Sequence, residues 1–286
     1  MTRAGSAPAD RRGPALRGSR GFGGPAIAVV AGLGVLFLGL PVVILVVRSI
    51  ANGALASAFT DETVIEAFKL SMITTAVSLV LTVVFGLPIA IVLARRRFRG
   101  SSLVEAVIDL PIVLPPSVAG LALLLAFGRQ GVLGGTLHAF GIEIPFTTAA
   151  VVIAQTFVSA PFFILSARTG IANVDRDLED AARVDGATEG RLFRSITIPL
   201  ASTALTAGLV MSWARSLGEF GATIMFAGNV EGQTQTLPLV VYSEFQGGDL
   251  DTTIAASAIL VIAAFAVLVA VRWLHWGRVF ELRGIT

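Results

Sequence analysis

Residues Asp175–Pro199 read DRDLEDAARVDGATEGRLFRSITIP. Most of it lies in Arg168–Ser195, the most charged segment between two apolar runs, and its reading decides the fold. It is too charged to enter hydrocarbon, yet its pattern is helical. Asp175 is an N-cap residue type, and Asp177, Glu179 and Asp180 follow near the helix start, where the helix dipole favours acids. Leu178, Ala181, Ala182 and Asp185 share roughly one face by the i, i+3, i+4, i+7 rule. Gly186 is placed to end the helix or let it turn. A second helical piece, Thr188–Ser195, leads into Pro199.

Outward from this segment the chain turns apolar. Of its 286 residues 55% are hydrophobic and 14% charged, with a mean hydropathy of +0.83. Soluble domains run at about 45–50% apolar and about 25% charged, so this is not an ordinary water-soluble domain. A membrane-spanning helix needs about 20 apolar residues. Six stretches qualify: Ala26–Val47, Leu70–Ala94, Ala106–Phe127, Thr147–Ala167, Ile196–Ala214 and Thr253–Val271. Asp109 is the one charge among them. Segments of about ten residues with alternating polarity, the mark of a transmembrane barrel, are absent. Ala26–Val47 exceeds the 7–15 residues or so of a signal peptide's apolar region and lacks a clear cleavage site, so it reads as a true span.

Basic residues orient the spans. Seventeen arginines lie before the first span and after the second, fourth and sixth, including Arg95, Arg96, Arg97 and Arg99. Only Arg48, Lys69, Arg129 and Arg215 lie on the other side. Cytoplasmic loops collect Lys and Arg, which predicts six spans with both termini cytoplasmic. The tail Met1–Pro25 is rich in Gly, Pro, Arg and Ser and is expected to be a disordered basic tail, ahead of a transmembrane domain over 26–286. Its arginines serve as a topology signal, or touch anionic headgroups as well. Asn52–Phe68 is expected outside, with a short amphipathic piece entering the second span.

The chemistry that is missing narrows the function. The chain has no cysteine, and His138 and His275 lie far apart, so no metal site is expected. Its one lysine, Lys69, follows Phe68, which excludes a nucleotide-binding P-loop. Neither Gly-x-Ser-x-Gly nor His-Glu-x-x-His occurs, and no catalytic residue or nucleic-acid contact is assigned. Carboxylate relays are nearly absent from the spans, so energy for uphill transport has to come from another subunit. Prolines 41, 88, 111, 115, 116, 161 and 199 bend or break helices, most densely in Asp109–Gly120. A transport pathway and ordinary kinked packing both account for them.

Asp180-Ala181-Ala182, three residues, Gly186, nine residues, then Ile196-Thr197-Ile198-Pro199 resembles the EAA loop of ABC importer permeases. Asp180 stands where that family has Glu, and Ile198 where it has Leu. The resemblance implies an all-α integral membrane fold of the type I importer permease class. It implies a coupling helix that docks into an ATPase subunit through Glu179, Asp180, Ala181, Ala182, Gly186 and Pro199. ATP and Mg would be held by that ATPase, with no cofactor on this chain. The expected setting is a homodimer in the bacterial cell membrane, met by an extracytoplasmic oxyanion-binding protein on loops 48–68, 128–146 and 215–252.

Two further stretches resemble molybdate permeases. One is LPIVLPPSVAGL (Leu110–Leu121) with Phe127-Gly-Arg-Gln-Gly131. The other is ARSLGEFGATIMFAGN (Ala214–Asn229) with Thr236-Leu-Pro-Leu239. The likeness covers about 64–273. It implies uptake of molybdate, with tungstate inseparable from it. Sulfate or thiosulfate permeases share the Gly-Glu-Phe-Gly element and are the runner-up. A carrier driven by ions, without an ATPase, is the rival of another kind. Arg215 and Glu219, four apart at the outer end of the fifth span, form an i, i+4 ion pair, line a gate, or both. Ser117, Ser212 and Thr223 are candidate pathway hydroxyls.

Overall fold

The structure is a computed structural model that describes residues 25–96 and 98–283, with side chains to residue 270. The basic tail ahead of residue 25 and Arg97 lie outside the described residues, as do the side chains of Arg272, Arg278 and Arg283. The chain forms two units, divided after Ile44.

Among the described residues all regular secondary structure is helical. In order they form α1 (Pro25–Ala51), α2 (Ala54–Ala58), α3 (Glu62–Arg95), α4 (Ser101–Val113), α5 (Pro116–Phe127), α6 (Gly134–Ala139), α7 (Thr148–Ala172), α8 (Arg176–Val184) and α9 (Glu189–Leu192). A π-helical turn (Phe193–Thr197) then leads into α10 (Ile198–Leu217), α11 (Gly221–Phe226), α12 (Leu237–Gly247) and α13 (Leu250–Arg283). Among the described residues five helices are long and apolar enough to cross a membrane, with a sixth crossing if the bent pair α4–α5 counts as one.

That pair is where the structure departs from the sequence reading. The apolar run 106–127 is not one straight helix: α4 and α5 meet at 118°. Pro115 and Pro116 are the cause. A proline pushes the residue before it out of the helical region, and here two act in succession. Leu114 takes φ −66°, ψ 135° and Pro115 takes φ −54°, ψ 134°, both extended. The remaining prolines do less than expected. Pro41, Pro88, Pro111 and Pro161 sit inside continuous helices. Pro199 lies in the first turn of α10, just after the π turn, where the missing N–H costs little.

In the second unit α7 packs along α3 on one side and α10 on the other. Large apolar side chains such as Ile73, Val80, Val84 and Phe85 on α3 point outward, while Ser71, Thr74, Thr75, Ser78 and Thr82 are buried. Their spacing of three or four keeps the hydroxyls on one face. This inverts the pattern of a soluble helix, as expected where the solvent is lipid and helices associate through small and polar residues. Thr156 on α7 donates to Ser78 at 3.1 Å, and Ser216 on α10 to Ser78 at 3.3 Å. The α7–α10 crossing is closer still. A Cβ on Gly170 would lie 2.4 Å from Ala204 Cβ, and one on Gly208 2.8 Å from Ser166 Cβ. Ser166 donates to the Ala204 carbonyl across this contact at 2.7 Å.

Candidate functional site

The polar segment between α7 and α10 folds as its sequence dictates. Asp175 caps α8, accepting from the Asp177 amide at 3.0 Å. Asp185 is the last half-helical residue and Gly186 follows at φ +83°. The Gly186 amide donates to the Arg183 carbonyl at 3.0 Å and the Ala187 amide to the Ala182 carbonyl at 2.9 Å, closing a Schellman motif. Thr188 then caps α9 by accepting from the Arg191 amide. Arg183 joins the two pieces, donating to Asp180 at 2.6 Å and to Glu189 at 2.8 Å. Those bonds, Glu189 first, hold the Arg183 proton more tightly than in a free guanidinium.

Almost all of α8 is open to its surroundings, its apolar residues included. Leu178 is half exposed and Val184 is 88% exposed, with Ala181 and Asp185 also open. Glu179 is the buried residue, at 4% exposure. Its Oε1 accepts from Arg95, the last residue of α3, and from Thr197 Oγ1 at 2.8 Å. Sequence reasoning grouped Glu179 with Asp180 as one docking pair. In the structure Asp180 is exposed and Glu179 faces its own chain. Nothing in the sequence pairs Arg95 or Thr197 with Glu179, because it lies 84 and 18 residues away from them. Beside Glu179 lies a cavity of about 370 Å³ with Arg95, Arg96, Arg176 and Arg183 in its walls. Pro199 stands at the start of α10, two residues beyond Thr197.

A second cluster gathers at the far end of α10. Arg215 pairs with Glu219 at 2.6 Å, and the Glu219 side chain is fully buried. Glu219 Oε1 also accepts from the Ala222 amide at 2.7 Å, which holds the start of α11. α11 then lies against α5. A Cβ on Gly221 would come within 2.7 Å of Pro116 Cβ and 3.1 Å of the Ser117 amide, and one on Gly120 within 2.6 Å of the Ala222 carbonyl. The Arg215–Glu219 pair therefore sits beside the start of α11, where Gly221 meets the backbone of Ser117; Ser117 is exposed there and Thr223 is buried within α11. Ser212 does not join them. It is buried and donates to the Ser159 carbonyl at 2.5 Å, tying α10 to α7.

Residues 86–276 match the family of binding-protein-dependent transport system inner membrane components. The chain belongs to that family. It is also 42% identical over 247 residues to the molybdenum transport system permease protein ModB of Mycobacterium tuberculosis, covering 86% of this chain and 91% of that one. It is 34% identical over 216 residues to the sulfate transport system permease protein CysT of Salmonella typhimurium, covering 76% and 78%. In fold this inner membrane component is similar to a chain of a bacterial ABC transporter that imports alginate. That match has a TM-score of 0.66 at 19% identity, over 87% of this chain and 93% of the other. The all-α importer-permease architecture expected from the sequence is therefore present, and the α8 region and the α10–α11 junction both lie within the matched span.

Proposed function

We infer that this inner membrane component is the permease subunit of an ATP-driven importer of molybdate, with tungstate accepted alongside it. The observation that carries the reading is the exposed apolar surface of α8. A helix outside the apolar spans that turns Leu178, Ala181 and Val184 outward is built to be covered by a partner. The 42% identity to a molybdenum permease supports the substrate. The 34% identity to a sulfate permease supports sulfate as the second reading.

In this reading an ATPase subunit holds ATP and Mg and receives α8. Asp180, Ala181, Ala182 and Gly186 lie at that contact, while this chain catalyses no reaction and binds no cofactor. A second copy of the chain completes the pathway, within the inner membrane of a bacterial cell. An extracytoplasmic binding protein captures the oxyanion and docks at the opposite end of the bundle. The excess of arginine before the first span and around α8 supports cytoplasmic termini and a cytoplasmic α8. Arg215 offers positive potential near the pathway, and its ion pair with Glu219 holds it beside the start of α11.

The test is uptake of radiolabelled molybdate by membrane vesicles carrying the permease with its ATPase and binding protein. Inhibition by excess tungstate but not by sulfate is the expected result. Equal inhibition by sulfate would move the assignment to sulfate. Molybdate uptake by the purified chain alone would instead favour a self-sufficient carrier.

A further inference from the structure

Glu179 is the residue of α8 that the docking reading leaves unexplained. Neighbouring residues on a helix are about 100° apart, so Asp180 can face a partner while Glu179 faces inward. The surroundings of Glu179 are specific. One carboxylate oxygen gathers a guanidinium from the end of α3 and a hydroxyl from the π turn that opens α10. Thr197 is 3% exposed and the Arg95 side chain 18%. The covalent chain joins α8 to α7 through residues 173–175, and to α10 through Gly186, α9 and the π turn. It gives α8 no short connection to α3. Arg95 supplies that connection.

We propose that Glu179 is the positioning residue that makes α8 move with the bundle: its buried bonds to Arg95 and Thr197 lock α8 to α3 and α10 at once. The proposal rests on α8 being the ATPase contact. Without the lock, a displacement of α8 would be absorbed by bending at its C-terminal turn. Gly186 there is at positive φ with nothing within 4 Å of a Cβ position. With it, the displacement reaches α3 and α10, both of which pack along α7. Glu179 is buried and Arg95 mostly so, and loss of either one leaves the other's charge largely buried and unpaired. Docking and transmission are thereby divided between two faces of one helix, Leu178 outward and Glu179 inward.

The experiment uses the full permease, co-purified with its ATPase and placed in proteoliposomes with the binding protein. It reads ATPase content, ATP hydrolysis and radiolabelled molybdate imported per ATP. Leu178→Asp is expected to lose most of the ATPase from the purified complex. Glu179→Gln and Thr197→Val are expected to keep ATPase content and hydrolysis while import per ATP falls at least tenfold. Thr197→Ser, which keeps the hydroxyl, is expected to restore import per ATP to within twofold of wild type. A role in stability alone would lower the amount of complex and leave the ratio unchanged, which overturns the proposal. Loss of ATPase from Glu179→Gln, or a wild-type ratio in both Glu179→Gln and Thr197→Val, also overturns it. If Leu178→Asp instead keeps its ATPase, the docking reading itself has failed.

Discussion

Replacing Gly186 separates backbone strain from crowding at the end of α8. Gly186 has φ +83°, and a Cβ built there meets nothing within 4 Å. Any penalty therefore comes from backbone conformation. For an L-residue with an ordinary side chain the left-handed region costs about 1–2 kcal/mol, a factor of about 5–30 in the population of the closed turn. Asn tolerates that region better than most residues, and a β-branched side chain is the worst fit. The expected order of damage is thus Asn, then Ala, then Val, although Asn is larger than Ala. The assay is hydrogen exchange over a peptide containing Gly186 and Ala187, whose amides close the turn. Protection should fall about 5–30-fold for Gly186→Ala, further for Gly186→Val and least for Gly186→Asn. Import per ATP should follow the same order while membrane insertion is unchanged. Damage ordered by side-chain volume, with Asn worse than Ala, would refute the strain argument. Full transport by Gly186→Val would refute the importance of the turn.

Gly170→Val places atoms where Ala204 Cβ already lies, so the purified permease should lose about 1–3 kcal/mol of stability in a detergent melt, while Gly135→Ala, facing open space, should change little. Arg215→Ala strands the buried Glu219 carboxylate, so it should lower the melting temperature more than the double change Arg215→Ala/Glu219→Gln, which leaves no unpaired charge. Thr156→Val removes the 3.1 Å bond to Ser78 and should cost about 0.6 kcal/mol, the typical size of an interhelical hydrogen bond in a membrane protein, read as a small shift in the same melt.

Much of this protein is legible along the chain because lipid imposes simple rules. Long neutral runs between arginine clusters locate the spans. Asp175 and Gly186 mark the two ends of α8, and the structure places the cap and the positive φ at those residues. What the sequence hides is which of two similar residues takes which environment. Pro88 and Pro161 resemble Pro115 and Pro116 on the page, yet the first two sit inside unbroken helices and the second two turn the chain by 118°. Two consecutive residues forced into extended conformation are more than a helix can absorb, whereas a single proline can be accommodated by its neighbours. Glu179 and Asp180 differ by one position, and the inward one is selected by Arg95, 84 residues away. Ser212 reads as a pathway hydroxyl along the chain, but its hydroxyl is directed at the Ser159 carbonyl on another helix. Pairings of this kind arise only after helices have crossed.

The double proline also determines where the backbone is short of donors. In an uninterrupted α-helix the carbonyls of Pro111 and Ile112 would accept from residues 115 and 116. Both of those positions are proline and neither has an N–H to give. Two carbonyl dipoles therefore leave α4 without an intrahelical bond, at a point in the chain flanked on either side by apolar residues. Hydrocarbon cannot satisfy them, so water or another protein segment has to. The Pro115–Pro116 dipeptide thus does more than steer the chain: it forbids lipid from sealing around this bend, and so fixes one level of the membrane at which the protein must remain either wet or enclosed.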